Sequence, residues 1–176
     1  MNRTLEIPAE KLTAEQKTVF DRLVAGRGRI LGPYKVWIHS PTVAAGMERI
    51  GTFLNKHASL SKREVEMVIL VIAQHWKGDY VGQAHIREGK AAGLSPEAID
   101  AILAGGDPKL ADPHERAVHR FAAALVGGTK LSDADFAEIE TAIGRDGIAE
   151  VITLLGYYTS VGLAMKVHEV PIPQQA

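Results

Sequence analysis

Apolar residues recur along the chain at intervals of three and four, interrupted by capping residues, glycines and prolines, and this grammar predicts helices throughout. Thr13 with Gln16 three residues on forms a capping box opening a helix to about Ala25, which Gly26-Arg27-Gly28-Arg29 breaks. Ser40-Pro41 places an N-cap before a proline at the first helical position, and Val43, Met47, Ile50 and Leu54 form the expected buried stripe. Ser61 with Glu64 is a second capping box, starting a helix to about Trp76. After Lys77-Gly78-Asp79 a further helix runs from Tyr80 to near Gly93. Ser95-Pro96 opens a short helix ending at Gly105-Gly106, and Asp112-Pro113 with Glu115 opens one reaching Val126. Ser132 with Asp135 caps a helix to about Ile143, and Asp146-Gly147 precedes an apolar helix from Ile148 to roughly His168. The tail Val170-Pro171-Ile172-Pro173 cannot continue it. No useful strand alternation appears and the connections are short. The pattern predicts an all-α, single-domain helical bundle over 1–176, with N-terminal helices to 60, a helix pair over 61–93 and C-terminal helices over 94–176.

The helix from Lys62 to Trp76 departs from ordinary amphipathicity. Val65, Met67, Val68, Ile69, Leu70, Val71, Ile72 and Ala73 cover its whole circumference, so it is expected to be buried on every side, in the core or in a subunit interface. Glu64 stands at the third helical position and is explained by capping. Glu66 has no such role. A carboxyl inside an apolar run is costly to ionise unless a partner holds the charge, so Glu66 requires one. It either ties two helices together or carries chemistry.

Composition narrows the classes. A length of 176 residues suits one domain with a real core, and 46% hydrophobic with 23% charged residues is ordinary for a globular protein. A formal net charge of -1 gives no electrostatic case for nucleic acid or an anionic membrane. The longest apolar run, Met67 to Ala73, is far short of the roughly 20 residues of a membrane span, and the N-terminus has no secretory-type apolar stretch. A cytoplasmic protein is expected. Cysteine is absent, which removes disulfides, thiolate ligands and thiol nucleophiles together. The seven histidines and the carboxylates are left as the groups for proton transfer near neutral pH.

Among these, His85 stands out beside Gly82 and Gly89, which lie three and four residues away on the same helical face. Helical glycines cost about 1 kcal/mol each relative to alanine, so they signal either space before the imidazole or a close helix contact. His75 and Trp76 end the apolar helix, where a cation suits the terminal carbonyls. Tyr34, Trp37 and His39 either line a pocket mouth or anchor a loop. Tyr157 and Tyr158 read as core or interface, and His57, His114, His119 and His168 as surface. Glu66, His75 and His85 do not match a metal-ligand spacing, so no metal is expected.

The stretch Leu60-Ser-Lys-Arg-Glu-Val-Glu66-Met-Val-Ile-Leu, then Ala73-Gln-His75-Trp76, Tyr80 and His85, resembles the carboxymuconolactone decarboxylase family of the alkylhydroperoxidase D-like superfamily. So does Ile86-Arg-Glu-Gly-Lys-Ala-Ala-Gly-Leu-Ser-Pro-Glu-Ala-Ile. Upstream Gly32-Pro-Tyr-Lys-Val-Trp-Ile-His-Ser-Pro and the late Leu155-Gly-Tyr-Tyr and Glu169-Val-Pro-Ile-Pro extend the likeness over nearly the whole chain. The resemblance implies the alkylhydroperoxidase D-like helical fold, a trimer or hexamer, and a proton relay on Glu66 and His85. In the thiol-peroxidase branch two cysteines would fall on Gly78 and Val81, and its second histidine on Tyr80. The relay is therefore kept while the redox pair is missing, and a peroxiredoxin-like activity attaches by family alone. Cysteine-free relatives read Tyr-Glu-Trp where this chain has Tyr80-Val81-Gly82, which removes a charge and a large ring where a substrate sits.

The resemblance implies a cofactor-independent carboxy-lyase acting on a small carboxylated lactone or related organic acid. His85 would donate the proton, Glu66 would orient it, and Tyr80 would hydrogen-bond the substrate. Tyr34, Trp37, His39, His75, Trp76, Val81 and Gly82 are the candidate substrate-binding positions. A lactone isomerase or hydrolase would use the same pair. The alternatives are an antioxidant protein of the alkylhydroperoxidase type and a non-catalytic helical oligomer that keeps the pair for stability.

Overall fold

In a computed structural model, both capping boxes form as the sequence predicts. The chain is described for Arg3, residues 6–30 and residues 32–169, with the side chains of Arg27, Asp79 and Tyr80 outside that description. After a 3-10 turn at Ala9–Lys11, helix α1 spans Ala14–Arg27. Thr13 N–H donates to Gln16 Oε1 at 3.0 Å and Gln16 N–H returns a bond to Thr13 Oγ1 at 3.2 Å. Gly28 closes the helix at φ +73°, a left-handed conformation that glycine adopts without a Cβ penalty. A short helix α2, Gly32–Trp37, follows where the sequence showed no periodicity long enough to read.

Helix α3 spans Pro41–Lys56 with proline in its first turn, but the Ser40 side chain makes no capping bond. Its buried face is also rotated from the expected one. Ala44, Gly51 and Leu54 are buried, Met47 is partly so, and Val43 and Ile50 are 48% and 38% exposed. Gly51 supplies the reason. The Tyr157 hydroxyl lies where a Cβ on Gly51 would fall, 2.4 Å away, so the close approach of α3 turns this small residue inward.

Helix α4, Lys62–Trp76, is the centre of the molecule. Ser61 N–H donates to Glu64 Oε2 at 2.8 Å, and Glu64 N–H to Ser61 Oγ at 3.2 Å. Around α4 pack α5 (Asp79–Ala91), α6 (Pro96–Leu103), α7 (Pro113–Val126) and α8 (Asp133–Val167). Met67, Val68, Ile69 and Leu70 are fully buried, each worth about 1.5–3 kcal/mol of apolar transfer. The all-round apolar character of α4 is thus accounted for inside one chain, by neighbours on every side.

Ser95 and Asp112 cap α6 and α7, the latter accepting from His114 N at 2.7 Å. Helix α8 is two helices joined at Gly144, whose φ of +66° and ψ of 175° break the helical path. The sequence ended the first helix at about Ile143, directly before this break, but began the second at Ile148, whereas residues 145–147 are already helical. By length and composition α8 is able to cross a membrane, although no uninterrupted apolar run in the sequence reaches that length. In the structure its Val151, Leu154, Tyr158, Val161 and Met165 face is core. Residues 170–173, whose prolines were expected to end the last helix, lie outside the described residues.

Candidate active site

Helices α4 and α5 are joined by a turn at Lys77-Gly78, where Lys77 takes up a left-handed conformation at φ +48°. The chain therefore folds straight back, bringing Gly82 against Ala73 and Gly89 against Leu70. A Cβ on Gly89 would approach Leu94 Cδ1 to 3.2 Å, while one on Gly82 would meet Ala73 Cβ at an ordinary 3.8 Å. The glycines flanking His85 thus face the helix contact. Val81 is 3% exposed in the core, so positions 81 and 82 lie along the α4–α5 seam rather than bordering an open space before the imidazole.

This hairpin joins the two residues that the sequence singled out. His85 Nδ1 lies 2.6 Å from Glu66 Oε2, and Lys62 Nζ lies 2.5 Å from Glu66 Oε1. The Glu66 side chain is 0% exposed, that of His85 17% and that of Lys62 52%. Burial pushes the Glu66 carboxyl towards the neutral form, but the hydrogen bonds and charges of His85 and Lys62 outweigh it and hold the group below the ordinary carboxylate range. Glu66 is therefore ionised at neutral pH and only accepts. The contact then requires a proton on Nδ1 of His85, which leaves Nε2 as the other ring nitrogen, turned away from the carboxylate.

The other sequence-predicted positions are spread around this pair. Tyr34 and Trp37, 1% and 7% exposed, are core residues in edge-to-face contact at 5.2 Å. Trp37 continues to Tyr157 at 5.9 Å, Tyr157 to Tyr158 at 5.2 Å, and Tyr158 to the His85 ring at 5.1 Å. Among the described residues, the row of rings reaches His85 through the two α8 tyrosines. His39 and His75 are exposed, His75 stands edge-on to Trp76 at 5.0 Å, and Trp76 Nε1 donates to Thr159 Oγ1 at 3.2 Å. The side chain of Tyr80 lies outside the described residues. Among the described residues no three His, Asp or Glu side chains stand close enough to hold a metal ion.

Several features were missed by reasoning from the sequence. Tyr158 packs on the imidazole, a contact that spacing along α8 does not signal. Lys62 lies one turn before Glu66, and that i,i+4 spacing was legible as an ion pair. His114, expected at the surface, is only partly exposed and its Nδ1 lies 2.5 Å from Glu64 Oε1. His119 and His168 are likewise partly buried, and burial lowers the pKa of His119 against the opposing pull of Asp107. Glu150 on α8 is a further buried carboxylate. It accepts from Ser59 N at 2.9 Å, Ser59 Oγ at 2.8 Å and Leu60 N at 3.3 Å.

The helical fold of the described residues is similar to that of several solved structures. An uncharacterized peroxidase-related protein from Silicibacter sp. TM1040 superposes with a TM-score of 0.74 at 18% identity, covering 97% of this chain and 91% of that one. The alkylhydroperoxidase AhpD core of an uncharacterized peroxidase-related protein from Ralstonia eutropha JMP134 gives 0.76 at 15%, covering 98% and 92%. The debrominase Bmp8, solved with a cysteine replaced by alanine and in complex with 2,3,4-tribromopyrrole, gives 0.72 at 10%, covering 97% and 91%. At these identities the likeness is one of fold. No curated protein matches the chain. Residues 41–124, which contain Glu66 and His85, match the model of the carboxymuconolactone decarboxylase family, and the chain carries no cysteine.

Proposed function

We propose that the chain is a cofactor-independent, decarboxylase-like enzyme acting on a small carboxylated lactone or related organic acid. The observation that carries this reading is the 2.6 Å contact between His85 Nδ1 and a fully buried, ionised Glu66. It fixes one tautomer and stabilises the imidazolium that forms when Nε2 takes up a proton. In the reaction the carbon–carbon bond to the carboxylate breaks, carbon dioxide leaves, and the electron pair delocalises into the lactone carbonyl as a dienolate. The His85 imidazolium then delivers its Nε2 proton to carbon and is recharged from solvent. Glu66 is the positioning carboxylate, and Tyr80 is assigned to hold the substrate carbonyl or carboxylate. Gly78 and Val81 stand where the thiol-peroxidase branch has cysteines, so a thiol cycle lacks its sulfur atoms.

The test is carbon dioxide release from carboxymuconolactone and related carboxylated lactones. Wild-type protein is expected to turn over one of them, and His85→Gln to lose about 10²-fold or more of that rate. Turnover retained in His85→Gln overturns the assignment. We further propose a homo-oligomer, a trimer or hexamer. Ile152 and Leu163 on α8, and Val43, Ile50 and Phe53 on α3, are apolar side chains 38% to 51% exposed. Sedimentation as a 19.0 kDa monomer at micromolar concentration would count against it.

A further inference from the structure

From the geometry around Glu66 we infer that Lys62 is a positioning residue of the site, holding Oε1 so that Oε2 stays aimed at the imidazole of His85. The inference rests on reading Glu66 and His85 as the proton relay, and it adds a third member that acts through Glu66 without touching the reacting atoms.

Glu66 is buried to 0%, and each of its oxygens has one partner, Lys62 on Oε1 at 2.5 Å and His85 on Oε2 at 2.6 Å. The other two buried carboxylates are held differently. Glu64 gives one oxygen to the Ser61 backbone, and Glu150 is bonded to the backbone amides of Ser59 and Leu60. Backbone donors cannot swing away, whereas a lysine stem can. Glu66 thus depends on two side chains from two helices, and removing either leaves a buried oxygen without a donor.

An ordinary i,i+4 pair on a solvated face contributes little, because water screens both ends. Here only one end is wet. The Lys62 stem runs from the half-exposed first turn of α4 down to a carboxylate that water does not reach, so the pair is screened from the lysine side alone. The neighbouring charged groups are engaged elsewhere. From α7, His114 pairs with Glu64 and Glu115 with Arg63 at 2.6 Å. From α8, Glu150 turns to Ser59 and Leu60, and Tyr158 packs its ring on His85. From α5 the paired group is His85 itself. Lys62 and His85 are therefore the two side chains that set the ionisation of Glu66.

Carbon-detected NMR of protein carrying labelled glutamate carboxyls, on the full chain, tests this without any substrate. Lys62→Met is expected to move the Glu66 titration to higher pH, and Lys62→Arg to restore the wild-type curve. A solvated, merely structural lysine would leave the curve unmoved, and coincident wild-type and Lys62→Met curves overturn the inference. His85→Gln, titrated alongside, separates the two readings. An upward shift in both variants with no turnover of any lactone keeps Lys62 in place and removes the proposed reaction. Turnover with an unmoved Lys62→Met curve does the reverse.

Discussion

Helix α4 carries two glutamate–histidine pairs two residues apart, and they are built for different purposes. Glu64 and Glu66 point to different sides of the helix, the first towards α7 and His114, the second towards α5 and His85. Both carboxylates are buried, with side-chain exposures of 6% and 0%. Their remaining partners set them apart. Glu64 spends its second oxygen on the Ser61 amide, closing the capping box that starts α4, and its histidine is 44% exposed. Glu66 has no backbone partner, its second oxygen faces a lysine, and its histidine is 17% exposed beneath the Tyr158 ring. A Glu–His contact is therefore not itself a site. Shielding of the imidazole, and a carboxylate not engaged in a helix cap, are what distinguish the pair proposed to move protons.

The sharpest way to break this comparison is to remove each histidine in turn. His85→Gln is expected to lose about 10²-fold or more in turnover, while His114→Gln keeps turnover within about twofold. Equal losses, measured as carbon dioxide release, would erase the distinction. Next come the carboxylates. Glu66→Ala strands Lys62 and His85 around a buried void and should cost about 3–5 kcal/mol in urea unfolding. Glu64→Ala removes one capping bond and a half-exposed partner, for about 1–2 kcal/mol.

The pH dependence follows from the Glu66 ionisation. Its pKa in the folded chain is lowered from 4.5, so its contribution to stability is complete above that value and is lost as pH falls through the folded-state pKa. The gap in urea midpoint between wild type and Glu66→Gln should be widest near pH 7 and close below pH 4.5. A gap that widens in acid would contradict the charged, paired Glu66. The smallest effects concern two glycines. Gly51→Ala puts a methyl 2.4 Å from the Tyr157 hydroxyl and should cost about 1–3 kcal/mol in thermal unfolding. Gly82→Ala meets Ala73 at 3.8 Å and should gain up to about 1 kcal/mol from helix propensity. If Gly82→Ala instead lowers turnover at unchanged stability, that glycine serves the ligand.

Much of this was open to reading in the chain itself. Thr13, Ser61, Ser95, Asp112 and Ser132 each set a helix start, because a cap bonds to amides two or three residues away and needs no distant partner. The oddity of Glu66 was equally local, a carboxylate in an apolar run, and family likeness pointed to His85 as its partner. The rotated face of α3 was not legible. Val43, Met47, Ile50 and Leu54 fit a stripe as well as Ala44, Met47, Gly51 and Leu54 do, and only the approach of Tyr157 chooses between them.

The sequence alone determined the class, the capped helix starts, the lack of any thiol chemistry and the glutamate that needed explaining. Those are matters of residue type and short-range spacing. Tertiary structure decided which of two glutamates is spent on a cap, which histidine is shielded, and that a tyrosine 73 residues beyond His85 packs against its ring. These depend on how α5, α7 and α8 lie against α4, and burial, not spacing, sets what a charge on that helix can do.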